Sequence, residues 1–213
     1  ALVEQSGLIV PIADFVVRTV CAELARFQDV VPGISVNINI SARHITQIGF
    51  PTILEDRVSR HGLDPSTIGV EITETSFLRA DPEVAAVLQG LTAAGFTVAI
   101  DDFGTGYSSM NYLKQIPATT LKIDRSFIRE LPHAREDRAL VDAMILLAHD
   151  LGKRVVAEGV ETAEQASYLI GAGIDCLQGY HFAHAVPPED FAETVAAIPL
   201  HTAGRSRAHE DCV

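Results

Sequence analysis

The chain has 213 residues, 47% of them hydrophobic, and 16 basic against 28 acidic side chains give a formal net charge of −12. That length supports one sizeable core, no apolar run reaches the ~20 residues that span a bilayer, and an acidic balance with no basic stripe argues against binding long nucleic acid. The three cysteines, Cys21, Cys176 and Cys212, are odd in number and widely spaced, which fits neither a zinc pattern nor a disulfide framework and suits a reducing cytoplasm.

Residues 1–10 read as a loop entering a helix, with no signal peptide, and a start at Ala1 in place of Met is that of a fragment or a processed product. Ile12, Phe15, Val16, Val20, Leu24 and Phe27 recur at helical spacing and predict a helix from Pro11 to Phe27. After Pro32-Gly33, residues Ile34 to Ser41 alternate, with Ile34, Val36, Ile38 and Ile40 on one face and Ser35, Asn37, Asn39 and Ser41 on the other, as in a strand. A helix from Phe50 or Pro51 to about His61 is ended by Gly62. Ile68 to Thr73 is the next strand. Asp81-Pro82-Glu83 caps a helix that Gly95 closes.

Phe96–Asp101 and Thr119–Asp124 read as strands, separated by a loop and a short helical segment from Ser109 to Lys114. A long helix, Arg135 to Leu151, carries Leu140, Val141, Met144, Leu147, Ala148 and Leu151 as its expected buried stripe, and Gly152 stops it. Arg154 to Glu158 is a strand. Thr162-Ala-Glu-Gln165 forms a capping box for a helix to Ala172. Ile174 to Gln178 is a strand, a shorter one lies near Tyr180 to Phe182, and Pro187-Pro188-Glu189 opens a helix ending near Pro199. His201 to Val213 is a polar, frayed tail.

Strand and helix alternate throughout, which indicates a parallel sheet with helices outside it and favours a (β/α)8 barrel over an open doubly wound sheet. The chain falls short of the roughly 250 residues typical of such barrels and opens on a helix with no strand before it. The expected architecture is therefore a modified TIM-type α/β barrel over residues 1–199 that lacks its first strand, followed by the tail 200–213.

Polar residues gather at the strand ends: Asn39, Glu71, Asp101 with Asp102, Lys122 with Asp124, Glu158 and Gln178. In a parallel barrel these ends meet at one mouth. An isolated Asp-Asp before Phe103-Gly104-Thr105-Gly106 is ordinarily a turn with solvated acids. Acids or amides at six successive ends are hard to explain as packing, and such carboxylates repel unless cations are present. Oxygen ligands without paired Cys or clustered His favour Mg²⁺ or Mn²⁺ over Zn²⁺, and the eight histidines show no ligand spacing. Two ions sharing a bridging Asp, about 3.5–4 Å apart, suit in-line hydrolysis of a phosphodiester. Lys122 then adds charge for the transition state or orients the water. Two other readings of Lys122 stand beside this one, a Schiff-base lysine and a structural pairing with Asp124.

The chain resembles the EAL domain, the bacterial cyclic di-GMP phosphodiesterase family. The matching motifs are Asn39-Ile-Ser-Ala-Arg43, Glu71-Ile-Thr-Glu74, Asp101-Asp-Phe-Gly-Thr-Gly-Tyr-Ser-Ser109, Leu121-Lys-Ile-Asp-Arg-Ser-Phe127, Val156-Ala-Glu-Gly-Val-Glu161 and Gln178-Gly-Tyr180. The resemblance implies a barrel whose first strand is antiparallel, and metal-dependent hydrolysis of cyclic di-GMP to linear pGpG in second-messenger signalling. It implies Asn39, Glu71, Asp101, Asp102 and Glu158 as ligands of two ions, with Asp101 between them. Lys122 would contact the attacking water, Glu158 assist as base, and Asp124 orient Lys122 or water. Glu74 would anchor the loop after Asp102, and Gln178 would sit beside the metal or substrate. It further implies a homodimer through the loop following Asp102. Sensory or GGDEF domains upstream, and a membrane tether on the full-length protein, are compatible with it.

Two departures bear on that reading. The Glu-Ala-Leu signature with its nearby Arg belongs to a strand upstream of Ala1, and His184-Ala185 stand where the family usually has Arg-Pro. A domain that binds cyclic di-GMP without catalysis, or docks partners, is the competing expectation, because one metal ligand lies on the absent strand. An unrelated barrel lyase using Lys122 explains the acidic ring poorly.

Overall fold

The computed structural model describes residues 9–46, 49–78, 82–106, 114 and 117–198. The chain divides into two compact units, Ala1–Ala99 with Ile116–Ala118, and Ile100–Gln115 with Thr119–Val213. The first holds α1 (Ile9–Phe27), β1 (Val36–Asn39), α2 (Ala42–Ile45), α3 (Phe50–Arg60), β2 (Ile68–Thr73), α4 (Glu74–Leu78), α5 (Pro82–Ala93) and the opening of β3 (Thr97–Phe103). The second holds the rest of β3, then β4 (Thr120–Ile123), α6 (Arg125–Ile128), α7 (Arg135–Asp150), β5 (Arg154–Ala157), α8 (Ala163–Ala172), β6 (Cys176–Leu177) and α9 (Pro188–Ala197). The strand order is the chain order, β1 to β6, as a succession of βα units produces.

In the first unit β1 and β2 are parallel, with Ile38 opposite Val70 and Asn39 opposite Glu71. Ile38 and Val70 are buried, so the alternation turns Asn37, Asn39, Gly69 and Glu71 to the other face. Gly69 is required there by contact, because a Cβ would lie 1.8 Å from Asn37 Oδ1. The N-terminal helix is where the expected stripe fails. Ala13, Val17, Cys21 and Leu24 are buried, whereas Ile12, Phe15 and Val16 are 46%, 60% and 37% exposed. Arg57 of α3 pairs with Asp14 on α1 and joins the two helices.

In the second unit β4, β5 and β6 are parallel neighbours, with Lys122 opposite Val156 and Val156 opposite Cys176. Leu121, Ile123, Val155 and Ala157 are fully buried on the opposite face. The stripe of α7 runs Val141, Ile145, Ala148, while Leu140, expected inside, is 47% exposed. The Thr162–Gln165 capping box is present, and Gly152 follows α7 at φ +68. The short strand expected near Tyr180–Phe182 is instead a turn. There the His181 N–H donates to Val160 O, and the Phe182 N–H donates to Gly179 O.

Two strands end earlier than their alternation runs, where a residue just beyond them caps a short helix. Ser41 Oγ accepts from the His44 N–H and starts α2. Asp124 Oδ1 accepts from the Ser126 N–H at 3.0 Å and starts α6. The entry loop 1–8, the Asp81 cap, residues 109–113 of the short helical segment and the tail 200–213 lie outside the described residues. Among the described residues no helix is long and apolar enough to cross a membrane.

Candidate active site

β3 delivers Asp101 and Asp102 at its C-terminal end. Among the described residues Asp102 is the one non-glycine with positive φ, at +55°. Asp tolerates that left-handed conformation better than most residues, and a departure of this kind often marks a functional site. The turn that follows is closed by Thr105, whose N–H and hydroxyl both donate to Asp102 O, at 3.2 and 2.8 Å. Gly104, at φ +97, lies against α6 and α7. A Cβ there would be 2.6 Å from Met144 Cε and 2.9 Å from Phe127 Cε2. Only glycine fits this position.

The parallel register carries Glu158 to the same face as Lys122, just beyond the end of β5, and the Glu158 N–H donates to Ile123 O at 3.1 Å. Lys122 is 3% exposed. Its ammonium lies 2.5 Å from Glu158 Oε1 and 3.4 Å from Asp101 Oδ1. Asp101, Asp102 and Glu158 each present a carboxylate oxygen within 4.8 Å of the others. Asp101 Oδ1 is buried, and at 3.4 Å from the ammonium it forms an ion pair without taking a hydrogen bond. Three clustered carboxylates against one ammonium, which pairs with two of them, leave net negative charge, and a buried oxygen without a hydrogen bond has capacity to spare. An all-oxygen donor set of this kind fits a hard divalent cation.

The remaining predicted residues fall in different places. Asp124 Oδ1 accepts from the Ser126 amide as a helix cap. Gln178 follows β6 with an exposed side chain, and its backbone bridges Ala157 and Val160. In the first unit, Asn39 and Glu71 are register partners at the ends of β1 and β2, and Glu71 is 3% exposed. Glu74, 1% exposed, begins α4. The loop it was expected to anchor lies outside the described residues beyond Gly106. The sequence reading treats Gln165 as a cap alone. It also donates from Nε2 to the carbonyls of Ile128 and Arg129, at 3.2 Å each. A buried amide where Glu would serve a capping box equally well was the available signal.

The EAL domain family model matches residues 1–185. The bifunctional diguanylate cyclase/cyclic di-GMP phosphodiesterase MucR of Pseudomonas aeruginosa is 38% identical over 196 residues, which cover 92% of this chain and 29% of that protein. The chain thus spans under a third of the length of that curated relative. The solved PaMucR phosphodiesterase, in complex with c-di-GMP, superposes with a TM-score of 0.83 at 38% identity, over 89% of this chain and 77% of that one. Klebsiella pneumoniae BlrP1, solved with manganese and cy-diGMP, gives a TM-score of 0.73 at 29% identity, over 81% of this chain and 44% of its own. The α/β architecture is shared with these neighbours. With the family model covering most of its length and a relative of this identity across nearly all of it, the chain belongs to the EAL domain family.

Proposed function

We propose that this domain, over residues 1–199, hydrolyses one phosphodiester bond of cyclic di-GMP to give linear pGpG, with two Mg²⁺ or Mn²⁺ ions as cofactors. The observation that carries the reading is the convergence of Asp101, Asp102 and Glu158, whose carboxylate oxygens lie within 4.8 Å of one another, with Lys122 paired to Asp101 and Glu158. Asp101, Asp102 and Glu158, with Asn39 and Glu71, would hold the ions. When bound, they supply Lewis-acid charge to the phosphate and lower the pKa of the attacking water.

The chain's own groups do the rest. Lys122 cannot leave its buried position cheaply, so its N–H groups are fixed to orient the water and to face charge developing on the phosphoryl oxygens. Glu158, in contact with that ammonium, is placed to accept the proton of the water as its oxygen bonds to phosphorus. The phosphorus–oxygen bond to the departing ribose then breaks, and that oxygen takes a proton. Gln178 and Glu74 support substrate and loop, and Asp124 orients Lys122 or the water.

The same reading includes a homodimer through the loop following Asp102, regulatory domains elsewhere in the full-length protein, and a cytoplasmic location for this domain. Its test is steady-state hydrolysis of cyclic di-GMP with Mn²⁺ or Mg²⁺ by the parent and by Asp101→Asn. Turnover by the parent that the variant loses supports it. Tight binding of cyclic di-GMP by both, with no turnover by either, refutes it.

A further inference from the structure

We propose that Gln165 is a positioning residue for the Glu158 carboxylate; the proposal rests on the phosphodiesterase reading above. Gln165 is 4% exposed, and every hydrogen-bonding position of its side-chain amide is filled. Oε1 accepts from the N–H groups of Glu161 at 2.8 Å and Thr162 at 3.0 Å. Nε2 donates to the carbonyls of Ile128 and Arg129, each at 3.2 Å. The first two amides belong to the segment that leaves Glu158. The two carbonyls belong to the end of α6, which follows the strand bearing Lys122. One side chain therefore joins the chain beyond Glu158 to the chain beyond Lys122.

Capping requires only the acceptor half of this amide, and Glu meets that need as well as Gln. The donor half has no part in the cap and is what selects an amide. Its target is closely packed. Gly159 turns at φ +68 directly against α6, where a Cβ would lie 2.5 Å from Arg125 Cβ. The segment after Glu158 thus rests on α6 with no slack, and Gln165 sets its height. Glu158 Oε1 is 2.5 Å from Lys122 Nζ, so a displacement of about 1 Å forfeits the contact and misplaces the base.

The test compares Gln165→Glu, which keeps the capping acceptor and deletes both donors, with Thr162→Ala, which deletes the cap hydroxyl and leaves the bridge. Both are made in the full chain. They are read by kcat and KM for cyclic di-GMP at a temperature where each is folded, and by Mn²⁺ affinity from calorimetry. Gln165→Glu is expected to lower kcat and weaken Mn²⁺ binding about tenfold each with KM unchanged, as for groups that support a metal ligand. Thr162→Ala is expected to melt lower with kcat unchanged. Equal kcat in Gln165→Glu and the parent, or equal losses in the two variants, overturns the proposal. Should Gln165→Glu not fold, Gln165→Met is judged by the same readings. A parent that does not turn over cyclic di-GMP defeats the phosphodiesterase reading alone. Calorimetry then decides: weaker Mn²⁺ binding by Gln165→Glu upholds the role of Gln165, and equal binding, or none by the parent, overturns it.

Discussion

Replacing Lys122 by Met keeps the buried stem and removes the charge, which isolates the electrostatics of the site. With Glu158 at 2.5 Å and Asp101 at 3.4 Å, the ammonium contributes about 6.6 and about 4.9 kcal/mol of attraction at an effective dielectric near 20. Three carboxylate oxygens within 4.8 Å of one another repel by at least about 3.5 kcal/mol per pair on the same scale. Attraction and repulsion are thus each on the order of 10 kcal/mol, and Lys122 offsets a large part of the repulsion among the acids. After side chains and protons rearrange, loss of a buried partner costs about 3–5 kcal/mol. For a chain of this size that is roughly 6–20 °C in melting temperature. Melting curves in chelator should show this drop. Mn²⁺ should raise the variant's midpoint more than the parent's, because the ion replaces a charge that the parent already has. Turnover in Mn²⁺ should fall about 10²–10³-fold, as for other lost transition-state donors. Equal melting of variant and parent in chelator, or an equal rise with Mn²⁺, would refute the balance described here.

Asp102 is held at φ +55, so Asp102→Val should be less stable in urea than Asp102→Asn by about 1–2 kcal/mol, the cost of the left-handed region for a branched residue. Both should lose Mn²⁺ affinity. Gly104→Ala should destabilise through its contact with Met144 Cε. Adding Met144→Ala should recover part of the loss in thermal melts, leaving the contact with Phe127 and the cost of a Cβ at φ +97. The Tyr168 hydroxyl is pushed up to about 12 by burial and by its hydrogen bond to the Asp142 carboxylate. Its folded value lies above the ordinary 10.0, so this contribution to stability is whole below pH 10 and lost as pH rises from there through about 12. Phenolate absorbance should show one late-titrating tyrosine, and Asp142→Asn should bring it down.

Local signals were legible in the sequence, and choices between equivalent faces were not. Thr162 and Gln165 announce their capping box because its two halves lie within one turn. Helix α7 has Leu140, Val141, Ile145, Leu146 and Leu147 over a wide arc, so periodicity alone does not say that Val141, Ile145 and Ala148 are the core side. The same holds for α1, where Phe15 is a better hydrophobe than Ala13 yet lies outside. At the site, alternation around Leu121 and Ile123 turned Lys122 inward, and three of the acids noted at strand ends, Asp101, Asp102 and Glu158, come together. Which acid meets the lysine was not readable. Asp124 is nearer in sequence and accepts from the Ser126 amide, whereas the β4–β5 register brings Glu158 alongside. The donor half of Gln165 was hidden for a related reason, since its partners lie on a different helix.

The central claim, that Asp101, Asp102, Glu158 and Lys122 form a hydrolytic centre for a cyclic dinucleotide, is tested most directly by identifying the bond that breaks. Cyclic di-GMP incubated with the domain and Mn²⁺ in ¹⁸O-labelled water should give linear pGpG carrying a single ¹⁸O on its terminal phosphate, with no label on the ribose. Recovery of unchanged cyclic di-GMP under saturating Mn²⁺, or label on the ribose oxygen in place of the phosphate, would contradict it.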